Sequence, residues 1–379
     1  MVVGGIALSE PSGADDSIKF KVRIQPRSDF GDFAASDGTD YRSQLDLYLR
    51  RSRLEVSGRP TDGVSYILAV SSDRWGQRGS AVGGEVTYAF VNYRLSVATN
   101  VQAGLAKLPF VRSATVSSSR LLLIERTKTA SAASSALGPY ITPNLALSGR
   151  FRDGAVGYNL AVTDGFQQGD SDSFTRAAVA ESDNPGFVGR IEISPGGWVE
   201  GRPSASHLGV GRHLTVGVNG AFQRGIDFGT VAEDRTVIGG DLSFHQGGLS
   251  FQSEYLRVDR DGSVDSAPEG WYVQLGYYLG SRQLEPAVRF ERYDADLPGG
   301  KATTTTYTGG LNWYRHGHDL KHMANVVHSS FDRGVREVGG AGSRALLQLQ
   351  SQDVLLSAGS QAVAFSLGSI SVYLWNLTA

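Results

Sequence analysis

The sequence predicts an all-β protein, a transmembrane antiparallel β-barrel of about sixteen strands with short periplasmic turns and longer outer loops. Three observations predict it. Residues 18–25 alternate strictly, with Ile18, Phe20, Val22 and Ile24 on one face and Lys19, Lys21, Arg23 and Gln25 on the other; period two with faces this unlike belongs to a strand between an apolar and a polar medium. The pattern recurs along most of the chain, interrupted by clusters of Gly, Asp, Asn, Ser and Pro. No apolar run approaches the ~18 residues of a membrane-spanning helix, which argues only against helices, because a barrel hides its hydrophobicity in alternation.

In chain order the candidate strands are 18–25, 44–57, 64–72, 86–95 and 100–108, then 144–152, 155–163, 187–194, 214–223, 237–245 and 249–258, then 270–279, 283–293, 306–314, 320–330 and 344–350. An even number suits a single-chain bacterial outer-membrane barrel. The clearest block sets Trp271, Val273, Leu275, Tyr277 and Leu279 against Tyr272, Gln274, Gly276 and Tyr278, and continues into Leu284, Pro286, Val288 and Phe290 against Glu285, Ala287, Arg289 and Glu291. Ser281 and its neighbours alone join these two strands, as in a tight hairpin. A longer link, 294–305, and another short turn, 315–318, keep the rhythm of short and long connections. Two regions break it: a connection at 109–143, long enough to carry function, and an apolar, low-charge tail at 354–379. The chain therefore divides into an N-terminal segment 1–17, a barrel 18–350 with its long loop at 109–143, and an atypical C-terminal extension 351–379.

Composition agrees. All-β barrels of 379 residues are routinely one unit. Gly is abundant at 48, and 15 Tyr with 5 Trp supply side chains suited to a water–lipid boundary. The absence of Cys fits passage through an oxidising periplasm without bridges, and a net charge of −2 names no partner. Residues 1–16 carry neither a basic n-region nor a long apolar h-region and read as a mature or replaced N-terminus.

Energetics sets the direction of the strands. A Lys or Arg facing lipid near the midplane costs ~2–4 kcal/mol, so Lys19, Lys21 and Arg23 together would cost about 6–12 kcal/mol facing outward. They are expected in the lumen. By the same parity Arg51 and Arg53, Arg150 and Arg152, Arg190, Arg289 and Lys321 point inward, and His322 falls on the lipid side. Glu192, Glu285 and Glu291 share the inward parity and would offset part of the positive charge.

Other chemistries find little support. His316, His318 and His322 stand at a short turn without the further ligand a metal site requires, and read as a polar turn. The chain lacks a Gly-x-Ser-x-Gly elbow, a phosphate-binding Gly-x-x-x-x-Gly-Lys-Ser/Thr loop and a dinucleotide fingerprint. Its basic residues alternate with apolar ones rather than forming a patch with stacking aromatics, which argues against nucleic acid. The expectation is no enzyme, no cofactor and no metal.

Specific runs carry a resemblance. They are Val101 to Phe110 (VQAGLAKLPF), Ser117 to Arg126 (SSSRLLLIER), Arg50-Arg51-Ser52-Arg53-Leu54, Glu269-Gly270-Trp271-Tyr272-Val273-Gln274, Glu285 to Asp294 (EPAVRFERYD) and Thr308 to Tyr314 (TGGLNWY). In this order, across roughly 18–350, they resemble the phosphate-selective porin O and P family. The resemblance implies a sixteen-stranded outer-membrane barrel, commonly a homotrimer in lipid and lipopolysaccharide, through which small anions diffuse along a basic lining. It also favours an inward fold for the loop 109–143, whose Arg112, Arg120, Arg126 and Lys128 would then set pore diameter and charge, with Leu121 to Ile124 packed. The sequence departs from the family at its end, where Asp353 and an unfamiliar tail follow the strand character of Ala345 to Gln350. Two further readings stand beside an anion porin: a general, weakly selective porin, and a plugged structural or adhesive barrel.

Overall fold

A computed structural model describes residues 2–3, 6–7, 18–34, 41–80, 83–96, 98–165, 167–169, 178–182, 184–227, 232–262, 265–297, 302–332, 343–358, 364–367 and 370–373. Among them a closed antiparallel barrel of 16 strands forms the molecule, with a short added strand pair, Gln167–Gly169 with Ala178–Glu181, extending its sheet. The strands are β1 (Lys19–Ala34), β2 (Tyr41–Thr61), β3 (Val64–Trp75), β4 (Glu85–Ser96), β5 (Thr99–Lys107), β6 (Ile141–Phe151), β7 (Val156–Thr163), β8 (Gly186–Ile193), β9 (Arg212–Asp227), β10 (Ala232–Gln246), β11 (Leu249–Asp261), β12 (Glu269–Tyr277), β13 (Leu284–Asp294), β14 (Thr303–His316), β15 (Leu320–Phe331) and β16 (Ser343–Ala358). Each pairs with its sequence neighbours, and β16 closes onto β1. Closure matters physically, because lipid offers no hydrogen bonds to an open strand edge.

Alternation assigns the two faces. Phe20, Leu45, Leu54, Leu68, Leu145, Ile191, Val218, Val288, Leu311 and Val326 are exposed on the outside, an apolar belt that fits lipid. Phe151 stacks on Tyr158 at 5.1 Å and Trp271 lies against Phe290 at 5.1 Å on the same surface. The alternate residues, among them Arg23, Gln25, Asp29, Gln252, Glu285, Asn312 and Lys321, are buried in the interior. His322 faces outward as its parity requires, and is accommodated there by a hydrogen bond with Ser351 Oγ at 2.9 Å and by Trp313 at 5.5 Å.

Three features differ from the sequence reading. The last strand does not end at 350: β16 runs to Ala358, with Asp353 opposite Ile24 and Ala358 opposite Lys19. The apolar character of Val354 to Leu356, read as an extension, is that of a closing strand. The N-terminal segment and the rest of the tail lie outside the described residues, apart from two short strand pairs, Val2–Val3 with Ile6–Ala7 and Ala364–Leu367 with Ile370–Tyr373. Second, the connection between β5 and β6 contains two short helices, α1 (Arg112–Thr115) and α2 (Lys128–Ser134), joined through a 3-10 turn at Ser118–Arg120. Third, residues 194–211, between β8 and β9, form a long connection at the end where the other turns are short.

The seam between β1 and β16 depends on Gly31. Its φ of 143° is open to glycine, and a Cβ there would strike the carbonyl oxygen of Ala345. Gly31→Val is expected to destabilise the barrel by about 1–3 kcal/mol, read as a lower temperature for loss of the compact gel mobility of the folded barrel.

Candidate pore constriction

The β5–β6 connection turns into the barrel because its apolar side chains find apolar ground there. Leu108, Phe110, Val111, Ala114, Ala130, Ala133 and Leu137 pack on Ala146, Ala161, Val188, Ala221 and Val237 of the wall. Leu121, Leu122 and Leu123 form a second cluster with Ala205 and Ala287. Small wall residues make room: a Cβ on Gly276 would come within 2.6 Å of Leu122, and one on Gly310 within 2.6 Å of Leu123. Each leucine fully buried in this way contributes ~1.5–3 kcal/mol.

Irregular backbone inside a barrel needs partners for its polar groups, and the wall supplies them. Lys321 Nζ donates to the carbonyl of Leu121 at 3.0 Å, Asn312 Nδ2 to that of Leu122 at 2.8 Å, and Arg289 to that of Glu125 at 2.8 Å. Arg235 donates to Ala136 at 2.7 Å, and Lys107 to Ala114 at 2.8 Å. The helix N-termini meet wall carboxylates instead. Glu254 accepts from the amide of Arg112 at 2.8 Å at the start of α1, and Glu291 from that of Thr129 at 2.8 Å in the first turn of α2. Both carboxylates satisfy free N–H groups and complement the helix dipole.

An ionic clasp fixes the loop to the opposite wall. Glu125 receives Arg50 at 2.9 Å and also Arg27, while Arg27 reaches Asp29 at 2.7 Å and Arg50 reaches Asp73 at 3.5 Å. Burial alone would raise the Glu125 carboxyl, but Arg50, Arg27 and Arg51 outweigh it and hold the group well below the usual carboxylate range. A carboxylate depressed in the folded state stabilises above its unfolded value of ~4.3 and loses that contribution as pH falls through the folded value.

Between this loop and the wall of β2–β5 lies an open space lined by Arg50, Arg51, Arg53, Arg74, Lys107 and Arg126 against Asp73, Glu85 and Glu125. Positive charge prevails there. Arg51 binds Gln25 at 3.0 Å and lies 3.8 Å from Asp73. Arg53 makes no ion pair among the described residues and lies over the Tyr88 ring at 5.2 Å. On the other side of the loop a second space, lined by Arg112, Arg150, Arg190, Glu192 and Glu200, is nearly balanced. Arg190 binds Asp241 at 3.0 Å and Glu192 at 3.3 Å, and Arg150 binds the same Glu192.

The residues singled out in the sequence thus separate by role. Lys19 is exposed at the short-turn rim and Lys21 half-buried. Arg23 is buried, with a guanidinium nitrogen 3.0 Å from Ser118 Oγ of the loop. Arg289 and Lys321 hold loop carbonyls, as described. Arg152 is a correction: it lies past the end of β6, exposed in the turn with φ 53°, because the strand stops at Phe151. In the loop, Arg112 pairs with Glu200 at 2.8 Å. Arg126 donates to the carbonyls of Ser113 at 3.0 Å and Val116 at 2.6 Å. Arg120 accepts through its carbonyl from Ala205 at 3.1 Å, and Lys128 is exposed over Tyr293 at 5.4 Å.

Parity missed Arg50. A β-bulge lies where the register shifts between Gln25 and Pro26, so that Gln25 faces Arg51 and Pro26 faces Leu49, and both Arg50 and Arg51 are buried. The signal was Pro26, which cannot donate to a ladder and so marks such a site within a strand. Arg27, Lys107 and Glu125 were missed as well. The first lies past the bulge; Lys107 ends β5 on the parity of Val101 and Leu105, which alternation sets outward, yet it is buried under the loop; and Glu125 belongs to a segment whose path alternation does not describe.

Glu125→Gln is expected to loosen the loop by about 1–3 kcal/mol, since Arg27 and Arg50 lose their shared counter-charge. Hydrogen exchange at residues 120–130 should rise in the variant. In the parent it should stay flat from pH 8 to 5 once corrected for intrinsic rates, and rise only in stronger acid.

Comparison with known proteins places this geometry. A family model described as phosphate-selective porin O and P matches residues 20–352. An uncharacterised protein of Aquifex aeolicus (strain VF5) is 31% identical over 341 residues, covering 82% of each chain. Among solved structures, an anion-selective porin from Comamonas acidovorans aligns with TM-score 0.57 at 12% identity, over 89% of this chain and 98% of its own. OmpF of Salmonella typhi in complex with daunomycin aligns with TM-score 0.62 at 9% identity, over 89% and 97%. The trimer form of OmpT of Vibrio cholerae aligns with TM-score 0.57 at 8% identity, over 89% and 98%. These structures share the fold, and the match across nearly the whole barrel gives the conclusion: the chain belongs to the phosphate-selective porin O and P family.

Proposed function

We propose that this protein is an outer-membrane porin giving passive passage to small anions, phosphate among them, and that it works as a homotrimer. The observation that carries the reading is the basic space beside the inward loop, where six cationic side chains face three carboxylates. A file of cations in a narrow aqueous passage lowers the energy of an anion along its path, and the low-dielectric wall keeps that field from dissipating. Arg51 and Arg53 offer planar forks suited to phosphate oxygens, while Lys107 and Arg126, whose donors hold loop carbonyls, add positive charge beside them. Passage needs only that no step be too deep.

The inward carboxylates Glu192, Glu254, Glu285 and Glu291 do not line this space. Glu254 and Glu291 are engaged by helix amides, Glu192 by Arg150 and Arg190, and Glu285 by the Tyr314 hydroxyl. The balanced space beside Arg190 and Glu192 is what favours the second reading, a weakly selective general porin. The family description and the anion-selective porin of Comamonas acidovorans support the anion reading, and the trimer form of OmpT supports the assembly.

Reversal potentials in planar bilayers under a KCl gradient, for the parent and Arg51→Gln/Arg53→Gln, test the proposal. The parent is expected to favour chloride over potassium and to lose chloride current when phosphate is added. The double variant should lose several-fold of both effects at similar conductance. A parent with no preference would establish the general porin instead.

A further inference from the structure

We infer that Glu200, His207 and His213 form a site for a divalent transition metal of the zinc class at the short-turn end of the lumen, with the His245 imidazole beside them. The long connection 194–211 assembles it. That segment folds back to the loop, where Ala205 donates to the Arg120 carbonyl at 3.1 Å, and His318 Nε2 donates to the Ser206 carbonyl at 3.0 Å. It thereby brings Glu200 and His207 against the first inward residues of β9 and the last of β10, where His213 and His245 are direct cross-strand partners.

The geometry is that of a ligand set slightly expanded. One ligand atom from each of Glu200, His207 and His213 lies within 4.8 Å of the others. His207 Nε2 is 3.1 Å and His213 Nε2 3.9 Å from Glu200 Oε1. Ligands at ~2.0–2.1 Å from tetrahedral zinc stand roughly 3.3 Å apart, so closure requires only small side-chain shifts. The ring centroids agree, with His207 at 4.6 Å from His213 and 4.4 Å from His245.

Two further observations point to a ligand. The His245 Nε2 lies 2.9 Å from the Val210 carbonyl; a carbonyl only accepts, so Nε2 carries the proton and Nδ1 keeps a bare lone pair. That Nδ1 and the Nε2 of His207, itself one of the ligand atoms, are buried without a hydrogen-bond partner, although buried polar atoms ordinarily have one; His213 Nε2 shares a hydrogen bond with Ser243 Oγ at 3.0 Å that a metal would replace. Meanwhile the Glu200 carboxylate is already oriented, with Arg112 2.8 Å from Oε2 and donating to Oε1 at 3.0 Å, and the Ser204 amide donating to Oε1 at 3.1 Å. Outer partners of this kind fix a metal-binding carboxylate. Imidazoles with one carboxylate and no thiolate suit zinc rather than calcium or magnesium, which take oxygen ligands. Sequence reading looked for metal at His316, His318 and His322, but His318 turns to Ser206 and His322 to the outer face.

The test is zinc titration calorimetry on the full, untagged chain in detergent after chelator treatment. One zinc per chain with micromolar or tighter affinity is expected, weakened at least ten-fold by His207→Asn or by His213→Asn and unchanged by His316→Asn. No stoichiometric binding, or binding that survives His207→Asn/His213→Asn, would overturn the site. Cobalt(II) on the unmodified chain gives an answer that needs no variant: intense visible bands of a four-coordinate ion support the site, and only the weak bands of the hydrated ion contradict it.

Discussion

The architecture rests on hydrogen bonds from barrel-wall cations and amides to the carbonyls of the loop that crosses the lumen. A segment with little regular structure enters a protein interior only if its polar backbone is answered there. Lys321, Asn312, Arg289 and Arg235 answer it from four strands, while Glu254 and Glu291 take the amides of the two helices. Apolar packing of Leu121 to Leu123 and of the alanines of α2 then becomes available. The constriction follows from both.

This holding role sorts the charges. An arginine that points into a barrel is not thereby a contact for ions. Arg289 and Lys321 face the lumen and are engaged by loop carbonyls, and Arg190 is engaged by Asp241 and Glu192. In the space beside β2–β5, Lys107 and Arg126 are likewise engaged by loop carbonyls, which leaves Arg51 and Arg53 as the cations for the proposed ion path. The asymmetry between a basic space on one side of the loop and a balanced one on the other arises from where the carboxylates are needed structurally.

Much of the barrel was legible in alternation, because one period-two pattern fixes both strand and face. Phe20 outside and Arg23 inside follow from it directly. It fails where the period itself changes. The bulge opposite Pro26 brings Arg50 in beside Arg51, and the end of β6 at Phe151 leaves Arg152 in a turn. It is also silent where side chains meet through folding of irregular chain. Glu125 with Arg27 and Arg50, or Glu200 with His207 and His213, are far apart or unpatterned in sequence and come together only in the lumen. The closing strand was cut short at 350 because Asp353 reads as a stop, whereas in the barrel it sits opposite Ile24.

The most direct test of an inward, electropositive constriction uses the absence of cysteine from the chain. Ser131 lines the basic space on α2 and is exposed to it. With Ser131→Cys in a planar bilayer, charged methanethiosulfonate reagents report position and local field together. The account predicts a stepwise fall in single-channel conductance on modification, with the anionic reagent reacting at least ten-fold faster than the cationic one. Modification without a change in conductance, or faster reaction of the cationic reagent, would contradict it.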